Sequence, residues 1–365
     1  MKRIRIALIG CGGIARGHIA AYTAMSDQCE LRYCVDVDEA KARAFAEQGG
    51  CDWATDFAAI LDEVDAVDVC TPPHLHAPLA ITAAGRGKHV LTEKVMATRL
   101  EDADEMIRVA EANRVKLMVA YVTRFDPAWI ALHEAVQQGA AGRPYLATGR
   151  TAHAPHLAGW RASWETFPMG AFLSHGCHYV DQMIWNFGDI VAASSMGANT
   201  VRGSALARED TAVASFRFAS GMLGSYVCSW ATRHVDCGNE MSVYGTDGFL
   251  QLQFLRGGVR RVTRTVGGDV EVLYEHDPRT APQGSKNFVG ECEHFIDCIV
   301  HDREPLTNGR ESRKSMAAIL AAYQGDDENR VVWLEPGVAY AASPDGRACP
   351  AGRAPVAPPV SAQLD

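Results

Sequence analysis

Glycine or alanine occupies four of the six positions in Gly10-Cys11-Gly12-Gly13-Ile14-Ala15. Such a G-x-G-x-x-A turn lets the main chain double back tightly and approach a pyrophosphate. The free N–H groups and the dipole at the start of a helix then hold the anion. Asp36 lies 21 residues beyond Ala15, at the end of the next β-rich run. A carboxylate there is placed to accept from the adenosine ribose hydroxyls and repels a 2′-phosphate, so the dinucleotide expected is NAD rather than NADP. A glycine turn without cofactor, and a capping or turn role for Asp36, are the competing readings. A second group of chemistry-bearing residues lies between His153 and Trp164: His153, His156, Trp160, Arg161 and Trp164. Aromatic faces stack on the C–H face of a pyranose, and an arginine fork reaches hydroxyls or a carboxylate. Packing within the loop's own core is the alternative. No acids stand at useful spacing from the two histidines, and no metal is expected.

These residues need a scaffold that brings strand ends and helix starts to one place. β-rich runs at 4–9, 29–36, 66–70, 89–91 and 116–119 alternate with helical patterns at 13–25, 39–48, 76–86 and 100–113. This rhythm predicts a parallel sheet with helices on both faces, an α/β Rossmann arrangement. After about Arg143 the rhythm changes. Strands are expected at 144–151, 191–199, 211–218, 222–230, 240–244, 249–254 and 270–274, with helices only at 174–186, 288–300 and 311–324. Turn signals such as Ala219-Ser220-Gly221 and Thr246-Asp247-Gly248 separate the strands. Bunched helices in a strand-rich segment predict an α+β domain on a large open sheet. The expected division is a dinucleotide-binding domain over 1–122, an α+β substrate-binding and oligomerisation domain over 123–335, and an extended Pro/Ala/Gly-rich tail over 336–365. Tyr121 and Arg124, just past the last strand of the first part, are expected at the cleft as substrate contacts.

Bulk properties narrow the class. With 365 residues, 47% hydrophobic and 22% charged, the chain can build two ordinary cores. A net charge of −9 argues against nucleic acid as a partner, although a local pocket can still be basic. No apolar run reaches the roughly 18 residues of a membrane span. Met1-Lys2-Arg3 passes straight into alternating Ile4, Ile6 and Leu8 without the cleavage site of a secretory signal, so a cytoplasmic location is expected. The 11 cysteines are scattered and form no Cys-x-x-Cys pair, which fits reduced, buried thiols.

Further stretches carry a resemblance. Thr71-Pro72-Pro73-His74-Leu75-His76-Ala77-Pro78 is followed by Gly87-Lys88-His89-Val90-Leu91-Thr92-Glu93-Lys94, and later by Gly176-Cys177-His178-Tyr179-Val180-Asp181. Taken in this order, with Phe295-Ile296-Asp297-Cys298-Ile299 and Glu304-Pro305-Leu306, they resemble the Gfo/Idh/MocA family of sugar and inositol dehydrogenases over nearly the whole chain. The resemblance implies an enzyme that moves hydride between nicotinamide and a ring secondary alcohol of a sugar, glycoside or cyclitol. It also implies a mostly antiparallel second sheet whose outer face pairs with another subunit, giving a homodimer or homotetramer, and an active site between the two domains. Lys94 matches the lysine of the family's Glu-Lys-Pro motif, where a cation beside the reacting oxygen stabilises alkoxide character. Glu93 is expected to shape the nicotinamide-ribose pocket, with Thr71, Pro72 and His76 against the cofactor. His178 matches the catalytic histidine, a base in oxidation and an acid in reduction. Asp181 either orients it or caps a neighbouring element.

Two departures stand out. Val95 follows Glu93-Lys94 where the family has proline, so the backbone at Lys94 is expected to be set differently and held by packing. Ser174 stands one helical turn before His178, where many relatives carry Asp, and His175 adds a titratable group beside it. The substrate site is therefore expected to be less anionic, with Ser174 and His175 contacting substrate. Two other functions stay open: a redox-neutral enzyme that keeps NAD bound and works through a 3-oxo-glycoside, and a non-catalytic NAD-binding sensor.

Overall fold

The computed structural model describes residues 3–155, 166, 169–201, 208–232, 239–255, 258–277 and 287–334. The first third alternates as the rhythm predicts: β1 (Ile4–Ile9), α1 (Ala15–Ala24), β2 (Cys29–Val35), α2 (Glu39–Gly49), β3 (Asp52–Ala54), α3 (Phe57–Ile60), β4 (Ala66–Val69), α4 (His76–Gly85), β5 (His89–Glu93), α5 (Leu100–Ala112) and β6 (Leu117–Ala120). Six parallel strands run in the order β3-β2-β1-β4-β5-β6. The order reverses between β1 and β4, and the crevice beyond the strand ends at such a switch is where these sheets take ligands. Every residue of β4 and β6 is buried, as helices on both faces require. Asp38 accepts from the N–H groups of Ala40 and Lys41 to start α2, and Gly50, at φ +63°, ends it. β3 carries no apolar run and lies exposed at the sheet edge, which is why the sequence pattern passed over it.

The remainder comprises α6 (Pro127–Gln137), β7 (Pro144–Ala152), a π-helical turn (Phe172–Gly176) running into α7 (Cys177–Phe187), β8 (Ile190–Ala198), β9 (Thr211–Phe218), β10 (Leu223–Ser229), β11 (Asn239–Gly245), β12 (Phe249–Phe254), β13 (Arg260–Val266), β14 (Asp269–His276), α8 (Phe288–Val300), α9 (Gly309–Glu328) and β15 (Val332–Trp333). Nine strands form one open sheet, β14-β13-β12-β11-β7-β10-β9-β8-β15. Only β7 and β10 pair in parallel; the other neighbours are antiparallel. β9 alternates strictly between buried and exposed residues, so one face of the sheet is covered, with α9 along β8, and the other is open. α6, β13 and β15 are additions to the expected elements. The Asp126-Pro127 pair at the start of α6, a capping acid followed by a first-turn proline, was its readable signal.

α8 does not stay with the second sheet. Its Cys292, Phe295 and Ile296 join the core formed by β1, β2 and α1. Beyond it, Thr307 exchanges two hydrogen bonds with Val119 of β6: its Oγ1 donates to the carbonyl at 2.7 Å and its carbonyl accepts the N–H at 2.9 Å. Among the described residues nine cysteines carry free thiols, and all but Cys51 are buried. No described helix is long and apolar enough to cross a membrane. The tail expected over 336–365 lies outside the described residues.

Candidate active site

A cleft of about 1190 Å³ runs from residues 10–14 and Asp36, past Glu93 and Lys94, to Ser174, His175, His178 and Trp230. At its first end β1 delivers the glycine turn. Gly10 adopts φ +97°, and a side chain there would stand 2.9 Å from the Thr71 nitrogen and Cγ2, so only glycine fits between the two strand ends. Gly12 and Gly13 differ: a Cβ on either would meet nothing within 4 Å, because their main chain borders open space. That space, at the start of α1, is what a pyrophosphate needs. Asp36 ties the turn together, its Oδ2 accepting from Cys11 N–H at 2.8 Å and its Oδ1 from Asp38 N–H at 2.9 Å, while it still lines the cleft. Ile14, Thr71 and Pro72 line the cleft as well. Ala15 does not. It is fully buried at the start of α1, where its small side chain permits close helix–sheet packing rather than contact with a ligand.

Lys94 reaches this cleft from the end of β5, and His178 from the first turn of α7. Lys94 leaves β5 half-buried, and its Nζ donates to the Ser174 carbonyl at 3.0 Å. That bond uses one of three ammonium donors. The Lys94–Val95 peptide is cis although residue 95 is not proline. Ser174, His175 and His178 all line the cleft from the π-helical turn and the first turn of α7. A Cβ on Gly176 would come within 2.8 Å of the Phe172 and Tyr226 rings, so glycine lets this turn press onto β10. The Tyr121 ring meets the His178 ring edge-on at 6.0 Å. His175, His153 and Trp230 form a second ring cluster, with centroids 4.1 to 6.2 Å apart. Trp230, Thr151 and Asn239 line the cleft too and were not singled out by sequence. Trp160 and Arg161, with His156 and Trp164, lie outside the described residues.

Three expected contacts are turned elsewhere. Arg124 is buried, its Nε and Nη2 gripping both Asp181 oxygens at 2.8 and 2.7 Å. Asp181 therefore neither orients His178 nor caps an element; it is the counterion of Arg124. Tyr121 is 1% exposed, and its hydroxyl meets Ser315 Oγ at 2.8 Å. His76 is buried beneath the cleft wall, with Nδ1 2.7 Å from the Val95 carbonyl and Nε2 2.9 Å from that of Thr71. Burial pushes its pKa down, and a neutral ring donates to only one carbonyl at a time. It braces two cleft segments instead of touching a ligand.

Among the described residues His18, Asp68 and Cys70 bring ligand-type atoms within 4.8 Å of one another, below the cleft. The 2.7 Å between His18 Nδ1 and Asp68 Oδ2 is a hydrogen bond. Two donors on one tetrahedral ion at ~2.0–2.1 Å each would stand more than ~3 Å apart. The cluster has the geometry of an ion pair. Its sequence signal was a lone acid in a fully buried strand, since a buried carboxylate needs a partner.

Comparison with known proteins adds to the geometry. A family model described as "Oxidoreductase family, NAD-binding Rossmann fold" matches residues 4–121, and one described as "GFO/IDH/MocA C-terminal domain" matches residues 129–251. The chain is 30% identical to D-apiose dehydrogenase of Paraburkholderia graminis, over 92% of this chain and 91% of that protein. It is 28% identical to myo-inositol 2-dehydrogenase of Thermotoga maritima, over 91% and 99%. Among solved structures, the WlbA dehydrogenase of Bordetella pertussis in complex with NADH and UDP-GlcNAcA superposes with a TM-score of 0.79 at 27% identity, over 92% of this chain and 98% of that one.

Proposed function

This chain belongs to the Gfo/Idh/MocA oxidoreductase family, and from that premise we propose that it oxidises or reduces a ring secondary alcohol of a sugar, glycoside or cyclitol with NAD. One observation carries the reading: the Lys94 amine is fastened to the turn that leads into His178, so amine and imidazole line the same cleft as the glycine turn. The open main chain at Gly12 and Gly13 and the carboxylate of Asp36 fit the pyrophosphate and adenosine ribose of the dinucleotide. Bound NAD supplies the two-electron redox chemistry. Lys94 donates to the reacting oxygen and stabilises its negative charge. His178 takes the hydroxyl proton in oxidation and returns it in reduction. Ser174 and His175 contact the rest of the sugar, and Trp230 offers an aromatic wall.

Incubation with NAD and a panel of sugars, glycosides and cyclitols tests this by NADH absorbance. At least one member is expected to generate NADH, and Asp36→Ala to weaken NADH binding by roughly ten- to hundredfold through loss of charge-assisted hydrogen bonds. Product without free NADH would instead indicate a redox-neutral cycle. NAD binding with no conversion of any panel member would defeat the enzymatic reading.

The open face of the second sheet supports self-association. Val213 and Val227 pair across β9 and β10, both outward-facing and 47% and 39% exposed, with Leu223 at 46% beside them. A homodimer or homotetramer formed through this face should dissociate in Val227→Asp, as read by light scattering; an unchanged mass would place the contact elsewhere.

A further inference from the structure

Three ionisable groups outside the reacting pair stand in line beneath the amine-bearing loop. His18 on α1 and Asp68 on β4 have no exposed side-chain surface, and Glu93 at the end of β5 has little. His18 Nδ1 lies 2.7 Å from Asp68 Oδ2, and its Nε2 lies 3.4 Å from Glu93 Oε1. Both ring nitrogens face carboxylate oxygens. A neutral imidazole has a single N–H, so only an imidazolium meets both acceptors as a donor. The Tyr22 hydroxyl donates to the same Asp68 oxygen at 2.8 Å, and Cys70 Sγ donates to the other at 3.5 Å. Both Asp68 oxygens thus accept from neighbouring side chains. From α8 the Phe288 ring lies 5.1 Å from the imidazole and Cys292 Sγ lies 4.0 Å from Nδ1. Burial pushes the Cys292 thiol up to about 11, and that of Cys70 well above its ordinary value, so neither competes as an anion. Burial works most strongly against charge on His18, but the charge of Asp68 and the hydrogen bond to it, together with contributions from Cys70 and Cys292, outweigh it and hold the imidazole well above its usual pKa.

The line continues into the cleft. Glu93 turns its second oxygen, Oε2, to accept the main-chain N–H of Lys94 at 3.0 Å. We propose that Asp68 and His18 are positioning residues: the imidazolium, held by Asp68, fixes the Glu93 carboxylate, and Glu93 fixes the main chain from which Lys94 reaches the reacting oxygen. The role of Lys94 in this statement rests on the oxidoreductase reading above; the charge relay itself does not.

Two measurements test it. In protein carrying 15N-labelled histidine, without substrate, the His18 ring, assigned by its absence in His18→Gln, should keep the imidazolium signature at pH 8. Its shift should move in Glu93→Gln, a substitution of nearly equal size at the cleft wall. In kinetics, Asp68→Asn should lower kcat about tenfold with little change in substrate KM, and should cause no further loss on a Glu93→Gln background. A neutral ring at pH 8, an unmoved shift in Glu93→Gln, or multiplicative losses in the double variant would each overturn the relay. If Asp68→Asn does not fold, the spectra of the wild type and Glu93→Gln still decide. An imidazolium coupled to Glu93 in a protein that converts no polyol would uphold the relay and reject the reaction. Normal turnover with a neutral ring would do the reverse.

Discussion

Replacing Lys94 or His178 with alanine is expected to lower turnover by about 10²–10⁴, while NADH affinity, measured by fluorescence or calorimetry, survives. The magnitude is that of losing general acid–base catalysis or a charge-stabilising donor at the reacting oxygen. Lys94 comes from the end of β5 and His178 from α7, and the 3.0 Å bond from Lys94 Nζ to the Ser174 carbonyl ties the amine to the turn that leads into His178. Removing either one unmakes a shared geometry, so the double variant should be little worse than the poorer single one. The glycine turn and Asp36 remain in place at the other end of the cleft, which is why cofactor binding should persist. Unchanged turnover in both single variants would end the assignment. Collapse of NADH binding in either would move that residue from chemistry to cofactor retention.

Asp181→Ala should cost the fold about 3–5 kcal/mol, read as a lowered denaturant midpoint, because it strands the Arg124 guanidinium in the interior. The two side chains are 2% and 1% exposed, so no water can replace the lost carboxylate without opening the packing. Burial disfavours the charge on Arg124, but the field of Asp181 and the hydrogen bonds to it outweigh burial and raise its pKa above the ordinary value. The variant removes that support, and the guanidinium still cannot escape by losing its proton, because arginine stays protonated in proteins even when unpaired. Glu111→Ala makes the control. Glu111 and Arg310 also pair through two guanidinium nitrogens, yet their side chains are 50% and 69% exposed, and the loss should be far smaller. Equal losses in the two variants would show that burial does not set the strength of these pairs.

What the sequence disclosed and what it concealed separate by the range of the interactions. The glycine turn, Asp36 and the alternation of the first 120 residues are local: φ freedom, helix starts and hydrophobic period are written in neighbouring positions. The reacting pair was reached through motifs that place it at the end of β5 and the start of α7. Arg124 and Tyr121 were misread because position along the chain places a Cα, whereas side-chain direction depends on distant partners. Asp181 is 57 residues from Arg124, and Ser315 is 194 from Tyr121. His76 looked like a ligand contact for the same reason; two carbonyls beneath the wall claim its ring. Asp68 was legible in principle as an acid inside an apolar strand, but its partner on α1 was not.

The return of α8 onto the first sheet has a consequence for biosynthesis. Cys292, Phe295 and Ile296 seal an apolar patch whose other half, on β1, β2 and α1, is synthesised long before them. At ~5–20 residues per second, the nascent N-terminal half waits on the order of ten seconds or more for its cover. During that interval the patch around Ile19 and Tyr22 faces the ribosome exit and the solvent without its lid. Chaperone dependence and aggregation on overexpression should therefore concentrate there, and a truncation that removes α8 should uncover the first sheet.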